Sequence, residues 1–222
     1  YQWGKQMASH LGGTRDPMVV AWPTRIRPEG GGLEVRGQFT HCIDIAPTVL
    51  EAIGLPEPTS VDGFEQEPMD GTSFVHTFDL NMGAAAEERH TVQYFENFGS
   101  RAIYQDGWWA CARLDKAPWD LSPQTMQRFA PGNYDPDKDV WELYYLPDDF
   151  SQARNLAGKH PDKLAELTQL WWREAERNRV LPLLGGLAVM FGDLPPLPTT
   201  ARFSFQGGVA IAKRDGQLTA VV

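Results

Sequence analysis

The 222-residue chain has little cysteine, no long apolar run and no excess of positive charge, and each shortage narrows what it can be. The two cysteines, Cys42 and Cys111, stand apart from any Cys-x-x-Cys pair or Cys/His spacing, so no zinc site is expected from the spacing. Two cysteines also do not define a redox compartment. Lys and Arg total 20 against 29 Asp and Glu, a formal net charge of −9. That sign is wrong for a surface that neutralises phosphates, so no nucleic-acid partner is expected. No stretch of about 18 apolar residues is present to cross a membrane as a helix. Phosphate loops, GxGxxG turns and GxSxG elbows are absent as well. The chain starts at Tyr1 instead of Met, with no charged segment leading into an apolar one, and the expectation is a missing N-terminal portion.

What is there divides along the chain. "PMVVAWP" (17–23) is a short apolar run closed by prolines and predicts a buried, parallel-type strand. "DIAPTVLEAIG" (44–54) predicts a helix. Asp44 suits its N-cap, Pro47 its first turn and Gly54 its C′ position, with Ala46, Val49, Leu50 and Ile53 on one apolar face. A Pro/Gly-rich connection follows. From about residue 90 the pattern changes to a strand (91–97), a hairpin centred on Asp106-Gly107, a strand (140–146) and a long helix opened by Pro161. This order predicts an antiparallel sheet with a packed helix. A second Asp-Gly pair, Asp215-Gly216, predicts a terminal hairpin. Most of the eight tryptophans, including Trp108-Trp109 and Trp171-Trp172, are assigned to packing.

The chemistry-bearing residues are sparse. "DPDKD" (135–139) starts like a calcium loop, but Val140 stands where Gly is required and Leu146 where a bidentate Glu is required, so it is an acidic loop. The five histidines, at 10, 41, 76, 90 and 160, have no ligand spacing. The stretch "WGKQMASHLGGTRDP" (3–17) gathers Lys5, His10, Gly12, Gly13 and Arg15. On a continuous helix Lys5 and His10 would be about 140° apart, so they converge only if the chain turns between them.

"KQMASHLGGTRDPMVVAWPTRI", "RGQFTHCIDIAPTVLEAIGLPEP", "YFENFGSRAIYQDGWWACAR" and "DVWELYYLPDDFSQARNLAGKHPDKLAEL", in this order, resemble the C-terminal portion of the sulfatase family, in particular bacterial arylsulfatases. The resemblance runs from Tyr1 to Pro182, with a weaker echo after Phe203. It implies an α/β plus α+β architecture. Residues 1–82 would be the C-terminal edge of an alkaline-phosphatase-like α/β domain, and 83–182 a small four-stranded antiparallel sheet with a packed helix. Residues 183–222 would be a linker and β-hairpin extension.

The resemblance also implies an activity, the hydrolysis of small-molecule sulfate esters by a formylglycine nucleophile and a divalent metal, calcium in most members. Lys5 matches a lysine that contacts the sulfate group, and His10 a histidine that lines the pocket or supports the general acid. Gly12, Gly13 and Arg15 would shape the turn at the site. Neither cysteine lies in the Cys/Ser-x-Pro-x-Arg motif that becomes formylglycine, so nucleophile and metal ligands are expected upstream of Tyr1, in a missing part of the same protein. No metal or cofactor is expected within this chain, which alone would be inactive. Two alternatives share the pattern: a phosphonate or phosphodiester hydrolase of the same superfamily, or a non-catalytic carbohydrate- or partner-binding module.

Overall fold

A computed structural model describes residues 1–26, 34–79, 83–117, 119–130 and 132–183, together with the backbone of three strands between 202 and 221. The elements in chain order are α1 (Leu11–Thr14), α2 (Ile45–Ile53), the short pair β1 (Ser60–Val61) and β2 (Phe64–Glu65), then β3 (Val92–Asn97), β4 (Ser100–Gln105) and β5 (Trp108–Ala112). They are followed by α3 (Pro123–Arg128), β6 (Trp141–Tyr145), α4 (Pro161–Arg177) and the strands β7 (Arg202–Phe205), β8 (Val209–Arg214) and β9 (Gln217–Val221).

Strands β3 to β6 form an antiparallel meander in sequence order. Both of its tight turns use backbone that only turn residues tolerate. Phe98-Gly99 have φ of 53° and 88°, and Asp106-Gly107 have 48° and 82°. Two successive positive φ values give a two-residue turn whose twist matches the flanking strands. The Asp106-Gly107 hairpin is the expected one. The Phe98-Gly99 turn was not expected, because Phe is a poor signal for positive φ.

The period-two alternation sorts the sheet into two faces, and both are covered. On one face Tyr94, Ile103, Ala110 and Leu143 lie in register across the four strands. Leu167, Trp171 and Ala175 of α4 pack on that row and are fully buried. Burying a side chain the size of Leu167 stabilises by about 1.5–3 kcal/mol. Arg101 is also fully buried here. Its guanidinium lies 5.0 Å from the Trp141 ring and 5.3 Å from Trp171, and bonds Asp139 at 2.7 Å and the Pro136 carbonyl at 2.9 Å. The acidic loop is thus partly an anchor: Asp139 balances a buried charge, which is costly if left unpaired.

On the other face Phe95, Ala102, Cys111 and Glu142 are register partners, as are Gln93, Tyr104, Trp109 and Tyr144. What covers them is the beginning of the chain: Leu11 and Phe39 pack on this cluster, with Phe39 stacked on Tyr104 at 3.8 Å.

Two expectations need correction. Residues 17–22 form no strand, and Met18, Val19 and Val20 are exposed. A doubly buried strand needs a neighbour on each side, and no strand among the described residues pairs with this segment. Helix α2 forms with Gly54 in the left-handed region at φ 74°, yet its apolar face looks outward. Ile45, Val49 and Ile53 are 46, 52 and 62% exposed, while Thr48 faces inward and accepts the Phe74 N–H. The expected terminal hairpin is present as β8–β9, with its turn outside the described residues, and β7 extends it to three strands.

Asp44 does more than sit at the start of α2. Its buried carboxylate accepts the backbone N–H of His41 and of Thr72 and pairs with the His90 ring at 2.7 Å. Gln93 donates its amide N–H to the Tyr94 carbonyl, which turns its oxygen toward His90 Nε2 at 3.1 Å. Both ring nitrogens therefore face acceptors, an arrangement that favours the doubly protonated, cationic ring. Burial opposes that charge, but the hydrogen bond and charge of Asp44, aided by Gln93, raise its pKa above 6.5. Burial also opposes the Asp44 charge, and the bonds from His90, His41 and Thr72 outweigh it, so Asp44 stays below 3.8. The neighbouring His41 is shifted the other way, downward by burial and by His90.

The raised His90 value gives stability that is complete below 6.5 and lost as pH rises through the folded value. The lowered Asp44 value gives stability that is complete above 3.8 and lost on acidification. His90→Gln should therefore cost about 2 kcal/mol near pH 5.5. The cost should shrink steadily toward pH 9 in urea titrations of both proteins. A penalty that does not change with pH would mean that His90 is neutral.

Candidate functional site

The site is built on residues 2–15, which fold back on themselves. Gly4 accepts the Met7 N–H at 3.1 Å, with Gln6 at φ 74°, so residues 4–7 make a tight turn with Lys5 at its exposed tip. Met7 to Leu11 then dive into the protein and are all buried. The glycine pair is what allows the crossing. A Cβ on Gly12 would stand 2.3 Å from the carbonyl oxygens of Gln2 and Trp3, and one on Gly13 would stand 2.2 Å from that of Met7 and 2.6 Å from that of Gly4. No heavy atom fits at these distances, so the turn that presents Lys5 rests directly on bare glycine backbone. Arg15 closes the segment, its guanidinium 5.7 Å from the Tyr1 ring and its N–H on the Leu11 carbonyl.

The segment is fixed to the sheet by bonds from three directions. Ser9 N–H donates to Ser100 Oγ at 3.1 Å, and Trp109 Nε1–H to the Ser9 carbonyl at 2.8 Å. Leu11 N–H donates to Gln152 Oε1 at 2.7 Å, and Gln2 donates to the Gln152 carbonyl. Gln152 is itself fully buried in the loop after β6, and Asp149 secures that loop by accepting the N–H groups of Ala153 and Arg154. The two most distinctive stretches of the sequence, "HLGGTRDP" and "WELYYLPDDFSQARNLA", are therefore in direct contact.

Lys5 and His10 end in opposite environments. Lys5 is exposed, and no hydrogen bond or ion pair among the described residues engages its ammonium. His10 is 1% exposed. Its Nδ1 faces Ser9 Oγ at 2.9 Å and its Nε2 faces Glu142 Oε2 at 3.1 Å. Glu142 also accepts the Tyr144 hydroxyl at 2.8 Å. The His10 bond, with that of Tyr144, holds the Glu142 carboxyl below its usual range against the effect of burial. Cys111 is fully buried beside this group, and burial first, then Glu142, pushes its thiol well above the ordinary value.

The sequence singled out Lys5, His10 and the glycines, and not Glu142, Cys111, Ser9 or Gln152, which the structure places against the same stretch. One signal was available. In "WELYY" Glu142 and Tyr144 alternate onto one face, so one carboxylate stands where the pattern of a covered sheet calls for an apolar residue.

An α+β unit whose open sheet face is capped by a lysine-bearing glycine turn defines the class of the site. Residues 1–55 match the Sulfatase family model. An uncharacterized sulfatase of Schizosaccharomyces pombe is 27% identical over 167 residues, 72% of this chain and 24% of that protein. The chain thus spans about a quarter of the length of the curated relative it matches. These matches bear out the resemblance to the sulfatase family. Among solved structures, one from work on glycosaminoglycan metabolism by Bacteroides thetaiotaomicron has a TM-score of 0.48 and 21% identity, covering 74% of this chain and 30% of its own. Another, solved with its substrate D-glucosamine-2-N,6-O-disulfate, has a TM-score of 0.39 and 18% identity, covering 63% and 24%.

The residues present do not fit the calcium and formylglycine that such a resemblance implies. Among the described residues one trio of candidate ligands converges, His10, Cys111 and Glu142. A nitrogen and a sulfur donor are unsuited to calcium, which takes six to eight oxygens. Cys42 and Cys111 are followed by Ile43-Asp44 and Ala112-Arg113, without the proline and arginine of the modification motif.

Proposed function

We propose that this chain forms the C-terminal part of a sulfuric ester hydrolase of arylsulfatase type, with its nucleophile and calcium ligands in residues upstream of Tyr1. The carrying observation is Lys5, exposed and unengaged among the described residues, on a turn fixed by bare glycine backbone inside the segment that matches the Sulfatase family model. A preorganised ammonium is suited to stabilise charge as it develops on sulfate oxygens, because its position is set before the reaction starts. Lys5 is the group assigned to contact the sulfate. His10, with both nitrogens occupied inside the chain, is assigned a positioning role: it ties the stretch behind Lys5 to β6.

Further support comes from surface that a second domain would cover. Met18, Val19 and Val20, and Ile45, Val49 and Ile53 on α2, are exposed large apolar residues, and in the proposed enzyme the main α/β sheet packs on them. The substrate class is a small-molecule sulfate ester.

The test is to assay the longer protein that carries this chain with one aryl leaving group presented as sulfate, as phosphonate and as phosphodiester. The expected kcat/KM is highest for the sulfate, with no turnover by residues 1–222 alone. Preference for the phosphonate or phosphodiester would move the enzyme to that branch of the superfamily. No turnover of any ester by the longer protein would favour a binding module.

A further inference from the structure

We propose that His10, Cys111 and Glu142 form a zinc-type metal site beneath the Lys5 turn, distinct from any calcium site. The three come from different elements, the opening stretch, β5 and β6, and are far apart in sequence. Their candidate ligand atoms nevertheless lie within 4.8 Å of one another, and two of the three residues are buried. Ligand atoms around a tetrahedral zinc are about 3.3–3.7 Å apart, given bonds of ~2.0–2.3 Å. The His10 Nε2–Glu142 Oε2 separation of 3.1 Å is close to that already. Closing the remaining gap to Cys111 needs a shift of about 1 Å, within reach of side-chain rotation.

The donor set is selective. Thiolate, imidazole and carboxylate together suit zinc and its borderline neighbours, and not calcium or magnesium. Charge balances too: a thiolate and a carboxylate neutralise a dication, so the loaded site carries no net charge into a largely buried position.

The surroundings of the trio have the form of an outer shell. The second nitrogen of His10 is held by Ser9 Oγ at 2.9 Å, which fixes the ring orientation. Tyr144 donates to Glu142 at 2.8 Å, which fixes the carboxylate. Metal-ligating histidines and carboxylates are characteristically oriented in this way. Ser9 is in turn tied to Ser100 and Trp109. Glu142, 28% exposed at its side chain, is the side from which an ion and a fourth, water ligand enter.

Without an ion the same groups form a hydrogen-bonded histidine–glutamate pair beside a protonated thiol. Binding zinc releases the Cys111 proton to solvent, while His10 coordinates through Nε2 as a neutral imidazole that keeps one proton on Nδ1, toward Ser9 Oγ; only a second ring proton, where present, leaves with it. The ion then cross-links the stretch carrying Lys5 to two sheet strands.

The experiment is Co²⁺ and Zn²⁺ titration of the 222-residue chain in a Cys42→Ser background, because exposed Cys42 lies 3.8 Å from a His41 nitrogen and could bind metal by itself. One equivalent of Co²⁺ should bind and give a thiolate-to-cobalt charge-transfer band, displaced by Zn²⁺ and untouched by excess Ca²⁺. Cys111→Ala should abolish the band, and Ser9→Ala should weaken binding about 10- to 100-fold. The readout does not depend on sulfatase activity, so it stands or falls separately from the proposed function. A Co²⁺ complex of the folded chain without the thiolate band, or no stoichiometric binding at all, overturns the site without recourse to variants. Binding that survives Cys111→Ala with unchanged affinity overturns it as well.

Discussion

Lys5→Ala, made in the longer enzyme proposed above, is expected to lower kcat/KM for an aryl sulfate by about 10²–10³-fold, the usual cost of losing one preorganised transition-state contact. The Tm should not move. The ammonium is exposed and engages no partner among the described residues, and substitutions at such positions usually change stability by less than about 0.5 kcal/mol. That separation of effects is what makes the variant informative. A catalytic lysine that also held the fold together would confound the two, whereas here the fold is held by Gly12, Gly13 and the Ser9–Leu11 backbone. If the loss is in the transition state, kcat falls with kcat/KM; if Lys5 only attracts the anionic substrate, KM alone rises. Lys5→Arg keeps the charge on a longer, planar head and should recover part of the rate. Steady-state kinetics on all three proteins decide it, and unchanged kinetics in Lys5→Ala remove Lys5 from the site.

Gly13→Ala should come close to the same loss without touching the lysine. Its new methyl group would meet two carbonyl oxygens, at 2.2 and 2.6 Å, and the nearer belongs to Met7 and the other to Gly4, the two ends of the Lys5 turn. Backbone cannot rotate out of the way as a flexible side chain can. The turn must lift off its support, with a stability cost of about 3 kcal/mol, typical of overpacking. A displacement of about 1 Å at a catalytic group is enough for a loss on the order of 10²-fold. The double variant Lys5→Ala/Gly13→Ala should then lose little more activity than either alone, because both remove the same contact. Losses that multiply would show that Gly13 and Lys5 act on different steps. Gly4→Ala is the contrast: nothing lies within 4 Å of its added Cβ, so both activity and Tm should stay near wild type.

Much of the architecture was legible from local pattern. The meander, its Asp106-Gly107 turn and α4 follow from period-two alternation, a turn that only certain residues tolerate, and a proline at a helix start. All three are properties of consecutive residues. The opening stretch was also recognisable as unusual, though its spacing could not show why two glycines stand together. Each is required by a different pair of carbonyls brought close only by folding.

Where the pattern misled, it did so because burial is decided by neighbours and not by composition. The run at 17–23 and the outer face of α2 are apolar, yet exposed in this chain. The reverse holds for Glu142 and His10, polar residues placed on a covered sheet face because each satisfies the other.

Local order along the chain was enough to specify the α+β core, the helix that packs on it, the resemblance to sulfatases and Lys5 as the residue to test. Long-range packing was needed to leave Lys5 out in solvent while sealing His10 beneath it. It alone also brought His10, Cys111 and Glu142 within reach of one ion. Three residues scattered over more than a hundred positions have no spacing to recognise. Their proximity exists only after the sheet has paired and the first residues of the chain have folded across its open face.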